Sequence, residues 1–115
     1  MKTIKELKPG DRVYILRTIK NIGFYEAIVK ENNTELSRLL LLKMDVNGIL
    51  AETPFVMRYI DNQDKNECSS ILAGTLYIDK QKMKTKYLQV LREQEENYKA
   101  ELEKIQNERT RIFSL

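Results

Sequence analysis

The sequence predicts an α+β fold, in which a small antiparallel β-barrel or curled sheet (residues 1–78) precedes one long amphipathic helix (residues 79–115). Three observations support this prediction. Apolar residues recur at heptad spacing between Leu88 and Ile112, and neither Gly nor Pro occurs from Lys80 to the end. Before that stretch, short β-type segments alternate with turn residues. The length of 115 residues is typical of one modest core.

The helix prediction depends on two apolar series in the last third of the chain. One series recurs every seven residues, and the other lies three positions ahead of it, so both fall on one stripe. Glu95 and Arg109 occupy two positions of the second series. The predicted helix interface consists of Leu88, Leu91, Glu95, Tyr98, Leu102, Ile105, Arg109 and Ile112.

Two interpretations of this stripe stay open. Either it lies on the protein's own barrel, with Glu95 and Arg109 reaching water at the rim, or it pairs with a second copy or another protein. Length favours the second, because a helix of about 50 Å would extend roughly 20 Å beyond a body about 30 Å across. In an antiparallel pair centred near Leu102, Glu95 and Arg109 would face each other.

The β-region begins at a Pro9-Gly10 turn. Alternation then predicts a strand with Val13, Ile15 and Ile19 on one face. A second strand is predicted over residues 24–30.

This opening hairpin, with Gly10-Asp11-x-Val13 at its start and Ile28-Val29 at its end, resembles the first hairpin of small Tudor and KOW barrels. The resemblance implies a small barrel. It departs from the KOW pattern at Ala27, where that family has glycine in the second strand. This departure argues against KOW-type RNA contacts.

The middle of the chain is less decisive. Asn32-Asn33 predicts a turn, and residues 35–44 suit either a helix or a strand. Asn47-Gly48 is a strong hairpin signal and favours two antiparallel strands around it. Pro54 then suits a sheet edge or a kink.

The rest of the β-region contains two further strand predictions. One covers residues 55–60, and the other covers residues 71–78, with a bulge or bend at Gly74. Residues 61–70 are polar and predict a surface loop that carries the single cysteine, Cys68.

The start of the predicted helix carries an unusual run of lysines. Helix N-termini favour acidic residues, so a basic cluster there indicates a possible anion-binding or nucleic-acid-binding patch. Alternatively, a strand would place all four lysines on one face and protect a sheet edge, or the helix begins at Thr85. The four residues are Lys80, Lys82, Lys84 and Lys86.

Aromatic residues on the predicted strands suit either core packing or a ligand cage of the Tudor type. Core packing is the simpler interpretation, since the chain has no tryptophan and its core needs large side chains. The aromatic residues are Tyr14, Phe24, Tyr25, Phe55, Tyr59 and Tyr77.

Composition argues against most enzyme classes. The chain has no histidine, so it lacks the commonest general base and every Ser-His or Cys-His pair. A single cysteine without histidine predicts no structural zinc site, and four dispersed glycines form no phosphate loop. We therefore expect no cofactor and no catalysis.

The expected partners follow from charge and hydropathy. A net charge of +3 is modest for a nucleic-acid binder, and basic residues are not segregated along the chain. Neither a signal-peptide core near Met1 nor a run long enough to span a bilayer is present. The sequence thus predicts a cytoplasmic assembly protein, with nucleic-acid binding as the alternative and no membrane partner.

Overall fold

The protein has the predicted α+β architecture. The computed structural model describes residues 3–18, 21–59, 67–70 and 74–115, and these form six antiparallel strands followed by one long helix. A short 3-10 helix, Ile4–Glu6, precedes the sheet. The strands are β1 (Arg12–Arg17), β2 (Gly23–Asn33), β3 (Arg38–Met44), β4 (Phe55–Arg58), β5 (Glu67–Ser70) and β6 (Gly74–Tyr77), and the helix is α1 (Lys80–Phe113).

The six strands form one curled sheet. Their order is β4-β3-β2-β1-β6-β5, so β1 lies between its sequence neighbour β2 and the last strand β6. The two edge strands, β4 and β5, approach each other, with Cα atoms within 8 Å. The sheet is therefore a half-barrel, the small barrel-like fold that the opening hairpin predicted.

The core fills the inner face of this half-barrel. Alternation along β1 points Val13 and Ile15 inward, and both are fully buried. The 3-10 helix and the residue after it supply Ile4 and Leu7 to the same cluster. The remaining core residues are Ala27, Val29, Leu39, Leu41, Met57, Tyr59 and Leu76.

Asn32 connects the 3-10 helix to the sheet. A bulge between Val29 and Glu31 shifts the register of β2, so Asn32 pairs with the inward-facing Leu39. Its amide group donates to the carbonyl oxygens of Ile4 and Leu7, each at 3.0 Å. The Tyr59 hydroxyl donates to its side-chain oxygen at 2.8 Å.

The turn predicted at Asn32-Asn33 is wrong. Strand β2 continues through Asn33, and the turn follows at residues 34–37 with Ser37 at a φ of 51°. The side-chain oxygen of Asn33 accepts from the Leu36 N–H at 3.1 Å, so Asn33 ends the strand and supports the turn that follows it.

Residues 38–44 are a strand, β3, as the hairpin signal favoured. After it, the Asp45 carboxylate accepts from the backbone N–H groups of Asn47 and Ile49, each at 2.9 Å, and forms a tight turn. The second predicted strand is reduced to a single bridge between Met44 and Leu50. The full partner of β3 on this side is β4, which begins after Pro54.

The predicted surface loop at residues 61–70 is wrong at its end. Glu67–Ser70 form β5, an edge strand paired with β6, while residues 61–66 lie outside the described part. Gly74 begins β6 at a φ of +104°, as the predicted bend requires, and an added Cβ would clash with the Leu16 carbonyl oxygen. Of the predicted closing strand, residues 71–73 also lie outside the described part.

The chain divides into two compact units, a sheet unit (Met1–Lys84) and a helix unit (Thr85–Leu115). The sheet unit includes the first turn of α1, where Met83 is buried. The Asp79 carboxylate accepts from the Gln81 N–H at 2.9 Å and caps the helix. Within the described ranges, no helix has both the length and the hydropathy needed to cross a membrane.

Candidate assembly surface on the C-terminal helix

The helix unit carries an apolar stripe that its own chain leaves exposed. No residue from Thr85 to Leu115 is buried. Helical periodicity brings the eight predicted interface residues onto one side. The exposed fractions of the apolar members are 63% for Leu88, 42% for Leu91, 65% for Tyr98, 55% for Leu102, 53% for Ile105 and 59% for Ile112.

Glu95 interrupts this stripe and shapes a shallow groove. Its carboxylate lies 3.3 Å from the ammonium group of Lys99, one turn later on the helix. Both side chains are mostly exposed, so this ion pair adds little stability. The ion pair and the flanking apolar residues line the groove, which consists of Leu91, Gln94, Glu95, Tyr98, Lys99 and Leu102.

Arg109 interrupts the stripe a second time and is exposed. The nearby ion pair between Arg111 and Glu108, at 3.3 Å, does not involve it. Arg109 and Glu95 are 14 positions apart, so about 21 Å of helix separates them. The two charges therefore cannot neutralise each other within one chain.

The four lysines at the start of α1 do not share a face. Residues four apart lie near one another on a helix, so Lys80 groups with Lys84, and Lys82 groups with Lys86 on the opposite side. The Lys80 ammonium lies 5.8 Å from the centre of the Tyr14 ring. The structure thus divides this set rather than concentrating it, and the strand alternative is excluded because α1 starts at Lys80.

The aromatic residues are distributed over several places. Tyr25 and Phe55 meet edge to face at 6.1 Å against the core, and the ammonium of Lys43 lies 4.8 Å above the Tyr25 ring. Burial raises the pKa of the Tyr25 hydroxyl, and the nearby charge of Arg17 partly offsets this. A cation of the protein itself, Lys43, therefore lies over the Tyr25 ring.

Of the other aromatic residues, Phe24 lies near this pair, since Phe24, Tyr25 and Lys43 line one open pocket. Tyr59 is in the core, Tyr14 and Tyr77 are cross-strand neighbours on β1 and β6, and Phe24 is 49% exposed.

Sequence reasoning missed a second apolar surface, on the outer face of β2, β3 and β4. The four leucines at positions 39–42 alternate, so Leu39 and Leu41 enter the core while Leu40 and Leu42 face outward and are half-buried. An unbroken apolar run in a strand is the signal that could have revealed it, because such a run makes both faces apolar. The other outward apolar residues are Phe24, Ile28, Met44 and Val56.

Comparisons with known proteins add no family to this geometry. No protein-family model, curated protein or solved structure matches the chain. Within the described ranges, no group of three or more Asp, Glu or Cys side chains is placed to hold a metal ion. Inference about function therefore depends on the surfaces of the chain itself.

Proposed function

We propose that this protein is a non-enzymatic assembly protein. Its C-terminal helix joins it to a second copy or to another protein, and its half-barrel presents a binding surface. The supporting observation is the exposed stripe from Leu88 to Ile112, because contiguous apolar surface of this kind is typical of partner sites. All six apolar stripe residues lie beyond Met83, the last buried residue of the helix.

The expected strength of assembly is moderate. Fully burying a Leu or Ile side chain contributes about 1.5–3 kcal/mol, and the six apolar stripe residues are roughly half exposed. Burying the rest in two helices contributes on the order of 10 kcal/mol, against an association cost of about 4–15 kcal/mol. Because a net gain of at most about 6 kcal/mol corresponds to a dissociation constant of tens of micromolar, we expect assembly to depend on concentration in that range or above.

A binding role also suits the half-barrel. Its opening hairpin resembles those of Tudor-like barrels, which present surfaces to partners rather than catalyse reactions. Ala27 stands where KOW barrels have glycine, and its side chain is fully buried in the core. The half-barrel is thus proposed as the presenting part, without KOW-type RNA contacts. The absence of histidine supports a non-catalytic role.

The test is a pair of matched double variants. Leu91→Asp with Ile105→Asp places two charges in the stripe, and Asn97→Asp with Asn107→Asp adds two carboxylates outside it. Light scattering over a concentration series should show that the first pair abolishes assembly and the second does not. Circular dichroism should show that both keep the sheet unit folded.

Loss of the folded sheet unit in the stripe variant alone would contradict this proposal, because the stripe would then belong to the protein's own core. An assembled mass that the stripe variant does not change would contradict it as well.

The lysines favour assembly over nucleic-acid binding, since α1 places Lys80 and Lys82 on opposite sides. Binding to a random-sequence oligonucleotide should therefore be weak. A real phosphate interface loses affinity with salt, at a slope of about 0.9 per contact. A steep slope that Lys82→Gln with Lys86→Gln reduces would reverse the preference and assign the nucleic-acid role.

A further inference from the structure

We propose, building on the assembly role above, that the partner of the stripe is a second copy of this chain. In this pair the two helices run antiparallel and their two-fold axis passes at the level of Ala100. The groove on α1 and the positions of Glu95 and Arg109 support this arrangement.

The groove has the form that a coiled-coil partner requires. In a coiled coil, each side chain of the seam enters a hole formed by four residues of the facing helix, at positions i, i+3, i+4 and i+7. The groove residues form two successive holes of this spacing, Leu91-Gln94-Glu95-Tyr98 and Glu95-Tyr98-Lys99-Leu102. The surface is thus shaped to receive two side chains from one partner helix.

A parallel pair fills these holes poorly. With both helices in register, the second copy would insert its own Glu95 and Tyr98. Glu95 would then meet Glu95, and Arg109 would meet Arg109, within the seam. Like charges in an interface core are strongly unfavourable.

An antiparallel pair centred on Ala100 fills the same holes with aliphatic side chains. A residue of one helix and the residue of the second copy at the same height along the axis then have numbers that add to 200. Ile105 of the second copy therefore enters the first hole, and Leu102 of the second copy enters the second. Every stripe residue acquires a stripe partner. The four layers, each occurring twice, are Leu88 with Ile112, Leu91 with Arg109, Glu95 with Ile105, and Tyr98 with Leu102.

The two charges also become complementary. Arg109 of the second copy lies level with Leu91, about 6 Å along the axis from Glu95. Its aliphatic stem covers Leu91 while its guanidinium group reaches the Glu95 carboxylate. Each dimer would contain two such contacts, and neither contact is available within one chain.

This centre differs from the one expected at Leu102. A pair centred on Leu102 puts Glu95 directly opposite Arg109, but it also puts Tyr98 opposite Gln106 and Ile105 opposite Lys99. With the centre at Ala100 instead, Glu95 and Arg109 of the second copy stay within about one helical turn of each other. Tyr98 then faces Leu102 instead of Gln106.

Distances between spin labels test the orientation. Glu93, Ala100 and Asn107 share one heptad position away from the stripe, so cysteines there probe the same side of the helix. Cys68, the only native cysteine, is changed to Ser, or to Ala if Ser impairs folding. In the antiparallel dimer, the labels at Glu93→Cys and at Asn107→Cys are separated by about 21 Å along the axis, and those at Ala100→Cys by none.

We therefore expect a short distance at position 100 and clearly longer, similar distances at positions 93 and 107. Equal distances at all three positions would show a parallel dimer and overturn the inference, while the assembly role would stand.

Charge exchange tests the contact itself in the full chain. Glu95→Arg or Arg109→Glu alone should weaken the dimer about tenfold or more, since each creates like-charge contacts. The two changes together should restore its dissociation constant to near the wild-type value. In a parallel dimer, no such restoration occurs, because each residue faces its own copy.

A wild-type chain that stays monomeric at high micromolar concentration would overturn the second copy as partner. The proposed function would fall with it only if Leu91→Asp with Ile105→Asp also unfolds the sheet unit.

Discussion

Leu41 in the sheet unit and Leu102 in the helix unit are the same side chain in opposite situations. Leu41 is fully buried, whereas Leu102 is 55% exposed. Leu41 belongs to a core cluster that draws residues from distant parts of the chain, including Ile4 and Leu76. From Thr85 to Leu115, no residue of the helix unit is buried. The same type of residue is therefore buried in the sheet unit and left as exposed apolar surface in the helix unit.

The substitution with the largest expected effect tests the difference between Leu41 and Leu102 directly. Leu41→Ala should lower the free energy of unfolding by about 2–5 kcal/mol, because it leaves a cavity in a packed core. Leu102→Ala should leave the unfolding of the sheet unit nearly unchanged while weakening assembly. Urea denaturation followed by tyrosine fluorescence measures the first effect. Equal losses from the two substitutions would show that Leu102 is part of the same core.

Gly74→Ala tests the close approach of β6 to β1 in the sheet unit. The new Cβ would clash with the Leu16 carbonyl oxygen, and the backbone there has a φ of +104°. We expect a loss of about 3 kcal/mol, typical of strained backbone. Gly23→Ala is the matched control, since its Cβ would have no atom within 4 Å. Similar unfolding midpoints for the two variants would refute the close approach of β6 to β1.

Asn32→Ala tests how the sheet unit secures its N-terminal segment. The substitution leaves the carbonyls of Ile4 and Leu7 without this donor, and we expect a loss of about 2 kcal/mol. Tyr59→Phe removes only the hydroxyl that donates to Asn32 and should cost less. Hydrogen exchange should show faster opening near residues 4–7 in Asn32→Ala. Unchanged exchange there would argue against the role of Asn32.

Asp79→Ala tests the N-terminal cap of α1. It removes the cap on the Gln81 N–H, and we expect a loss of about 1 kcal/mol. Asp79→Asn keeps the capping oxygen and should retain most of the stability. Thermal melts of the two variants provide the comparison. An equal loss in Asp79→Asn and Asp79→Ala would mean that the negative charge of Asp79, not its capping hydrogen bond, stabilises the helix.

The smallest effect concerns pH. Burial favours the neutral phenol of Tyr25, so its pKa in the folded state lies above the ordinary value of 10.0. This contribution to stability is complete below about pH 10 and is lost as pH rises through the raised folded pKa. Tyr25→Phe should make the alkaline loss of stability less steep. Identical pH profiles would show that Tyr25 is solvated in the folded chain.

Local patterns alone predicted a good part of this protein. The α+β class, the long C-terminal helix and the strand that begins after Pro9-Gly10 were all deducible, because periodicity and turn chemistry act over a few residues. The stripe was deducible for the same reason, since helical spacing determines which side chains share a face.

Only the tertiary structure decided the pairing of β1 with β6 and the strand at Glu67–Ser70. It also decided the hydrogen bond from the Asn32 amide to the Ile4 carbonyl oxygen and the burial of Met83. Each depends on contacts between residues far apart in sequence, which leave little local pattern. The structure also decided that the stripe from Leu88 to Ile112 is exposed. Periodicity says which residues share a face, but burial depends on what another part of the chain brings to that face.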